Sequence, residues 1–208
     1  VATDELETCF LNWVRSSFDT SKSKVVPIDG KTLRRSHDRS SGKAAIHMVN
    51  AWCAENGISL GQIKTSEKSN EITAIPELIK SLELNDCIVT IDAMGCHTKI
   101  ADLIVDKGAD YILALKGNQP NLNEQVELFF EKAKHNAYKG IALDTHATVD
   151  GDHGRIETRK YTTVSDIEWL QGKENWKDLN TIIMVESERE VNDEIKRENR
   201  YYISSLEN

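Results

Sequence analysis

The most constraining feature of the chain is a pair of short, continuous apolar runs that flank a helical stripe. The runs cover residues 87–91 and 111–115, and the stripe is formed by Ile100, Leu103 and Ile104. Strands that are apolar on both faces are typical of a parallel sheet covered by helices. The pattern therefore predicts a βαβ unit, in which two parallel strands are joined by a right-handed crossover.

Further strands and helices are predicted on both sides of this unit. Strand-like runs lie at residues 25–28, 44–51 and 58–63, with Asn56-Gly57 as a hairpin signal. Apolar residues at helical spacing predict helices over residues 5–18, 72–84 and 121–135. Pro76 is expected in a first turn, where a proline is tolerated.

The hydrophobic period changes after residue 141. From there apolar and polar residues alternate, and turns are predicted at residues 150–154 and 191–193. The element order is three strands, a helix, a strand, a helix, a strand and a helix, followed by this strand-rich block. It predicts a mixed α/β core with a β-rich, mostly antiparallel insertion.

Composition and charge limit the classes of function. Of the 208 residues, 39% are hydrophobic and 29% charged, which excludes collagen-like and strongly disordered chains. The apolar runs fall far short of the roughly 18 residues that a membrane span needs. No membrane partner is expected. The four cysteines show no zinc-site spacing, so reduced thiols in a cytoplasm are predicted.

The charge is distributed unevenly along the chain. Lys and Arg number 26 against 34 Asp and Glu, for a formal net charge of −8, which argues against coating a nucleic acid by bulk charge. Residues 21–47 nevertheless contain seven basic and two acidic residues. A local basic surface is therefore predicted, although a solvated basic loop explains the same run equally well.

Two aspartates stand at the ends of predicted strands. Asp29 ends the first strand and Asp92 follows the run at residues 87–91. Ligands of α/β sheets bind at the carboxyl ends of strands, where neighbouring carboxylates can share divalent cations such as Mg²⁺. Two such ions, roughly 4 Å apart, stabilise the attacking and leaving oxygens of phosphoryl transfer. The alternative is structural, because Asp-Gly is a routine turn and Asp92 can cap the next segment.

Six stretches give this pattern a more specific interpretation. In order, they resemble the H-repeat-associated family of bacterial insertion-sequence DDE transposases, and they lie at residues 26–34, 60–65, 68–78, 89–96, 113–119 and 153–159. The similarity runs from about Phe10 to Leu206. It implies an RNase H-like core, cleavage of DNA at transposon ends and transfer of the freed 3′-hydroxyl to target DNA. It also implies Mg²⁺ or Mn²⁺ held by three acids, of which Asp29 and Asp92 match the first two.

The resemblance also implies a domain organisation and a set of partners. Residues 1–20 are expected to be the helical end of a preceding domain, residues 21–140 the incomplete catalytic core, and residues 141–208 the β-rich insertion. DNA is the expected partner, bound by a homo-oligomer in the bacterial cytoplasm at the nucleoid.

The third acid is the open point of the sequence. Transposases of this kind are similar in carrying it on a helix after the insertion, so it is expected beyond Asn208, and the given residues are expected to be catalytically incomplete. Glu157 is the candidate within the chain. Residues 155–161 alternate as in a strand, however, which favours a pairing of Glu157 with Arg155 or Arg159.

Several other polar residues are candidates for DNA contact, because Lys and Arg neutralise phosphates and position a duplex. The candidates are Lys31, Arg34, Arg35, Lys116, Asn118, His153 and Arg155. Plain connecting loops explain Lys116 and Asn118 as well. His47 is predicted to be a satisfied strand residue rather than a base.

The predicted function is a DDE transposase that needs no protein nucleophile. The rival hypothesis is a relic that folds and binds DNA or a partner without chemistry. A metal-dependent nuclease without strand transfer is the third possibility, and it would use the same acids.

Overall fold

Strands form where the apolar runs lie, and helices form where apolar residues recur every three or four positions. This is seen in a computed structural model that describes residues 3–17, 25–33, 36, 45–65, 71–152, 155–191 and 194–207. Contacts between residues separate the chain into two units, Val1–Tyr111 and Ile112–Asn208.

The first unit follows the predicted order of strands and helices. Its elements are α1 (Thr3–Ser17), β1 (Val25–Thr32), β2 (His47–Cys53), β3 (Ile58–Thr65), α2 (Glu71–Ser81), β4 (Ile88–Ile91) and α3 (Thr98–Asp106). Gly57 lies in the β2–β3 hairpin with φ +66°, and Gly108 follows α3 with φ +70°. Both positions favour glycine because a side chain is strained in this left-handed region.

β1 lies between an antiparallel and a parallel neighbour. The strand order is β3-β2-β1-β4, with β1 antiparallel to β2 and parallel to β4. Along β1 the side chains alternate, because Val26 and Ile28 are buried whereas Val25 and Asp29 are exposed. One face of β1 therefore belongs to the core, and Asp29 lies on the other face.

The helix α2 packs on β2 and β3 through a buried apolar face. That face consists of Ala74, Ile75, Leu78 and Ile79. The prediction that Pro76 lies in the first turn is wrong, because the helix begins at Glu71 and Pro76 is its sixth residue. Pro76 has no N–H to donate to the carbonyl of Ile72, so the helical hydrogen bond between these two residues is missing.

Cys96 fills the space between β4 and α3 as a small apolar side chain. It is fully buried, and this burial raises the pKa of its thiol to about 12. Cys53 and Cys87 are also buried, and all four cysteines are free thiols. The predicted reduced state agrees with these positions.

The second unit is dominated by long antiparallel strands. Its elements are the end of β5 (Asp110–Leu115), α4 (Pro120–His135), β6 (Asp144–Asp152), β7 (Arg155–Val164), β8 (Thr181–Val191) and β9 (Glu194–Ser204). Their order is β5-β9-β8-β7-β6, and every neighbouring pair is antiparallel. The change of hydrophobic period after residue 141 thus predicted the correct element type.

Aromatic contacts join α4 to the strands and to the segment before β8. The ring of Phe130 stacks on Tyr201 of β9 with the centroids 6.1 Å apart. Phe129 stacks on Trp169 at 4.6 Å. Phe130 is fully buried, so it anchors the helix to the sheet of this unit.

The predicted fold class is confirmed. The chain has three strands, a helix, a strand, a helix and a strand, followed by α4 and the antiparallel block, as expected for an RNase H-like α/β core with a β-rich insertion. The domain limits at residues 20 and 140 stay predictions. Within the described ranges, no helix combines the length and the apolar character that crossing a membrane requires.

Candidate active site

The parallel pairing of β1 with β4 sets the position of the two predicted acids. The last paired residues of this ladder are Ile28 and Ile91, and Asp29 and Asp92 each come next along the chain. Neighbouring strands lie about 4.8 Å apart. The two aspartates therefore stand side by side just past the end of the parallel ladder. The prediction that Asp29 ends the first strand is wrong, because β1 continues to Thr32 as a partner of β2, whereas β4 ends at Ile91.

Each of the two carboxylates is exposed and has a nearby donor. Asp92 caps the 3-10 turn Ala93–Gly95, because its Oδ1 accepts from the Met94 N–H at 3.0 Å. Asp29 faces Lys31 on its own strand, with 3.7 Å between Oδ2 and Nζ. The side chains of Asp29 and Lys31 are 55% and 78% exposed, so water screens this pair and it contributes little to stability.

These two residues provide the type of ligand that a hard divalent cation prefers. Mg²⁺ and Mn²⁺ bind carboxylate oxygens, and sites for Mg²⁺ commonly use one or two carboxylates together with water and substrate phosphates. Across the described ranges, no group of three or more His, Cys, Asp or Glu residues is placed to hold a metal ion. The residues present thus fit two of the three expected acidic ligands.

A hydrogen-bonded chain of three polar residues, two of them buried, lies next to Asp29. Nε2 of His47 is hydrogen-bonded to Oε1 of Glu71 at 2.5 Å, and Nδ1 of the same ring bonds the exposed hydroxyl of Thr32 at 2.9 Å. His47 and Glu71 are each 3% exposed. His47 is therefore a satisfied strand residue, as the sequence predicted.

Gly30 makes room for this chain at the residue after Asp29. A Cβ atom at position 30 would lie 2.3 Å from Oε1 and 2.4 Å from Cδ of Glu71. No real Cβ contact is this short, so the Glu71 carboxylate lies directly on the backbone of β1. The sequence reasoning assigned no role to Glu71, because a glutamate in the first turn of a helix is ordinary and nothing local reveals a distant histidine.

Glu157 belongs to an ion-pair cluster of the second unit. Its Oε1 accepts from Nη2 of Arg159 at 2.9 Å and from Nη2 of Arg189 at 3.3 Å, and Arg189 is its direct partner across β7 and β8. Burial by itself would raise the pKa of Glu157, but the hydrogen bonds from the two guanidiniums outweigh it and lower the pKa. Glu157 is thus an ionised partner of arginines.

The candidate DNA-contact residues are only partly described. Lys31, Lys116, Asn118 and Arg155 are exposed, as phosphate contacts require. Arg34, Arg35 and His153 lie outside the described residues. Lys31 is the candidate that the structure places beside a predicted acid.

Comparisons with known proteins show what the whole chain is similar to. The family model described as "Transposase DDE domain" matches residues 20–205. "Putative transposase YncI" of Escherichia coli O157:H7 is 44% identical over 204 residues, which cover 96% of this chain and 51% of that protein. "H repeat-associated putative transposase YhhI" of Escherichia coli (strain K12) is 41% identical over 205 residues, covering 96% and 53%.

Two further proteins are similar to this chain, one an uncharacterized relative and the other a solved structure. An uncharacterized protein in the dhlA 3′ region of Xanthobacter autotrophicus is 39% identical over 203 residues, covering 97% of this chain and 67% of that protein. A chain of the piggyBac transposase synaptic complex with hairpin DNA is similar with a TM-score of 0.45 and 9% identity. The similarity covers 90% of this chain and 34% of that one. The chain spans about half the length of the two Escherichia coli relatives. With the family model matching nearly its whole length, the chain belongs to the transposase DDE domain family.

Proposed function

We propose that this chain is the catalytic part of a bacterial transposase that cleaves transposon ends and joins the freed 3′ end to target DNA. The register of β1 and β4 carries the proposal, because it puts Asp29 and Asp92 at adjacent positions on parallel strands. Membership of the transposase DDE domain family supports the same class of reaction.

Asp29 and Asp92 are the proposed ligands of Mg²⁺ or Mn²⁺. When bound, the ions activate the attacking oxygen and neutralise the charge that develops on the leaving oxygen of an in-line phosphoryl transfer. The chain itself holds the carboxylates at adjacent positions, each one residue past the last paired residues of β1 and β4. Asp92 is held further by the Met94 N–H, which fixes one carboxylate oxygen and leaves the other outside that bond. No side chain is required as a nucleophile.

The third acid is proposed to come from a helix after the β-rich insertion, beyond Asn208. Glu157 is a poor candidate because two arginines occupy its carboxylate. A metal ligand there would have to give up both guanidinium contacts.

DNA is the proposed partner. Lys31 lies on the same face of β1 as Asp29 and extends 78% of its side chain into solvent, where it can contact a phosphate near the scissile bond. Action on paired ends would require a homo-oligomer, and action on chromosomal DNA would place the protein in the cytoplasm at the nucleoid.

Binding of Mn²⁺ tests the proposal without knowledge of the DNA ends. The parent chain, Asp29→Asn and Asp92→Asn are titrated with Mn²⁺, and the free ion is followed by electron paramagnetic resonance. We expect both variants to lose the binding event, because each removes one of two charged ligands. Asp86→Asn is the matched control, since Asp86 is exposed in the same unit and asparagine tolerates its positive φ of 58°.

The outcomes separate the alternatives. Equal Mn²⁺ binding by the parent, Asp29→Asn and Asp92→Asn would contradict the assignment of the two ligands. Absence of binding in the parent would favour a chain that folds and binds DNA or a partner without chemistry. In the full-length protein, a strand-transfer assay on labelled ends separates a transposase from a nuclease, since only a transposase joins the 3′ end to new DNA.

A further inference from the structure

A buried, hydrogen-bonded pair of a histidine and a glutamate lies under the strand segment that carries Asp29. His47 on β2 and Glu71 in α2 are each 3% exposed and are joined at 2.5 Å. Removing a carboxylate from water is costly, and apolar residues of similar size often stabilise a core as well as a buried ion pair does. Overall stability alone is therefore a weak reason for this pair, and its contacts point to a more specific one.

The pair contacts β1 at two places that flank Lys31. The Glu71 carboxylate lies against the backbone of Gly30, at 2.3 Å from the position of a Cβ there. His47 bonds the Thr32 hydroxyl through Nδ1 at 2.9 Å. Both ring nitrogens of His47 thus have a partner, since Nε2 bonds the Glu71 carboxyl group and Nδ1 bonds the Thr32 hydroxyl.

Strand alternation puts these contacts on the face opposite Asp29. Gly30 and Thr32 point toward the pair, whereas Asp29 and Lys31 point to the other side. The pair thus contacts β1 on both sides of Lys31, at the Gly30 backbone and at the Thr32 hydroxyl, and does not compete with a ligand of Asp29. A support of this kind fixes the position of a metal ligand from behind.

We propose that Glu71 and His47 form a positioning brace that fixes the Gly30–Thr32 backbone and thereby the Asp29 carboxylate. Glu71 sets the distance between the start of α2 and β1, because its carboxylate fills the space that any side chain at position 30 would need. The inference rests on the proposed function, since it treats Asp29 as a metal ligand.

The experiment measures Mn²⁺ affinity and thermal stability together on the parent chain and on Glu71→Ala, Glu71→Gln and Gly30→Ala. We expect Glu71→Ala to weaken Mn²⁺ binding about 10- to 100-fold, the usual effect of losing support behind a metal ligand. Glu71→Gln keeps an oxygen that accepts from His47, so it should restore most of the affinity. Glu77→Ala, at an exposed position of the same helix, is the control and should bind as the parent does.

The double variant Gly30→Ala with Glu71→Ala tests the contact itself. Gly30→Ala alone should weaken Mn²⁺ binding and lower the melting temperature, because the new Cβ displaces the carboxylate. With Glu71 shortened the same Cβ has space, so the double variant should bind no worse than Glu71→Ala. Losses that add instead would show that the two positions act independently and would overturn the brace.

The results distinguish the brace from the proposed function. If the parent binds Mn²⁺ through Asp29 and Glu71→Ala melts at a lower temperature but binds with the parental affinity, the pair is only structural and the inference is wrong. If the parent binds no Mn²⁺, the assignment of Asp29 and Asp92 as metal ligands is wrong, whatever the effect of Glu71→Ala. Should Glu71→Ala not fold, Glu71→Gln, which keeps a hydrogen-bonding partner for His47, and Gly30→Ala, which keeps both side chains of the pair, decide by the same affinity measurement.

Discussion

At the scale of single residues, contacts across the sheet decide which acids are available for chemistry. Asp29 and Asp92 have exposed carboxylates at adjacent positions past the β1–β4 ladder, whereas Glu157 is buried between two guanidiniums. The alternation of residues 155–161 predicted an arginine partner for Glu157. It identified Arg159 correctly, but Arg189 is the second partner and Arg155 is not part of the observed pairing.

The pairing of Glu157 leads to a prediction for the full-length protein. Glu157→Gln should leave DNA cleavage close to the parental rate, because the amide oxygen still accepts from Arg159 and no metal ligand is lost. The lowered pKa means that the carboxylate stays ionised at neutral pH, and the pair is lost only as the pH falls through that lowered value. Cleavage of labelled transposon ends measures the effect, with Asp29→Asn as the inactive reference. Loss of cleavage in Glu157→Gln would instead assign it as the third acid.

At the scale of elements, long strands and one aromatic anchor hold the second unit together. β8 and β9 pair along their whole lengths, from Thr181 opposite Ser204 to Val191 opposite Glu194. The helix α4 buries Leu122, Val126, Phe130 and Ala133, and Phe130 is the largest of these side chains and stacks on Tyr201. Phe130 is therefore the side chain of α4 whose loss would leave the largest cavity.

Phe130→Ala should destabilise the second unit strongly. Removing a buried phenyl ring costs about 3–5 kcal/mol, because the neighbours fill the cavity only in part. Leu128→Ala on the same helix is the control, since Leu128 is 43% exposed and its loss should cost less than about 1 kcal/mol. Urea unfolding followed by circular dichroism measures both. Equal effects of the two substitutions would mean that α4 is not anchored through Phe130.

At the scale of the whole molecule, the charge is segregated. The chain has a net charge of −8, yet residues 21–47 carry seven basic residues against two acidic ones. For the proposed DNA partner, this charge distribution predicts that a duplex binds at the basic stretch of an otherwise acidic chain. Phosphate contacts release counterions, so affinity should fall steeply as salt increases.

Salt dependence of DNA binding tests this segregation. The triple variant Lys31→Gln, Arg34→Gln and Arg35→Gln should bind duplex DNA more weakly. Its slope of log affinity against log salt should be shallower by roughly 0.9 for each phosphate contact that is lost. The control triple variant Lys80→Gln, Lys99→Gln and Lys132→Gln changes the net charge equally at three exposed positions outside the basic stretch. If both variants reduce the slope equally, the basic stretch has no special part in binding.

The sequence predicted local structure better than contacts between distant residues. Hydrophobic periods identified the strands and helices, and the positions of Asp29 and Asp92 after two strand-like runs predicted that the aspartates lie close together. The period of the hydrophobic residues does not show which side chains of different helices and strands contact each other. The burial of Glu71 against His47 and the pairing of Glu157 with Arg189 were therefore missed, as was the position of Pro76 inside α2.

The close approach of the Glu71 carboxylate to Gly30 predicts one way in which copies of a gene for this chain lose activity by mutation. A gene copy that keeps the codons for both aspartates can still encode an inert protein if a single base change replaces this glycine, because any side chain there meets the Glu71 carboxylate. Counting acidic residues alone would therefore overestimate how many copies in a genome still move. A lineage that lost the glycine and stayed mobile should carry a shorter residue in place of the glutamate, and such paired changes would be visible in an alignment of copies.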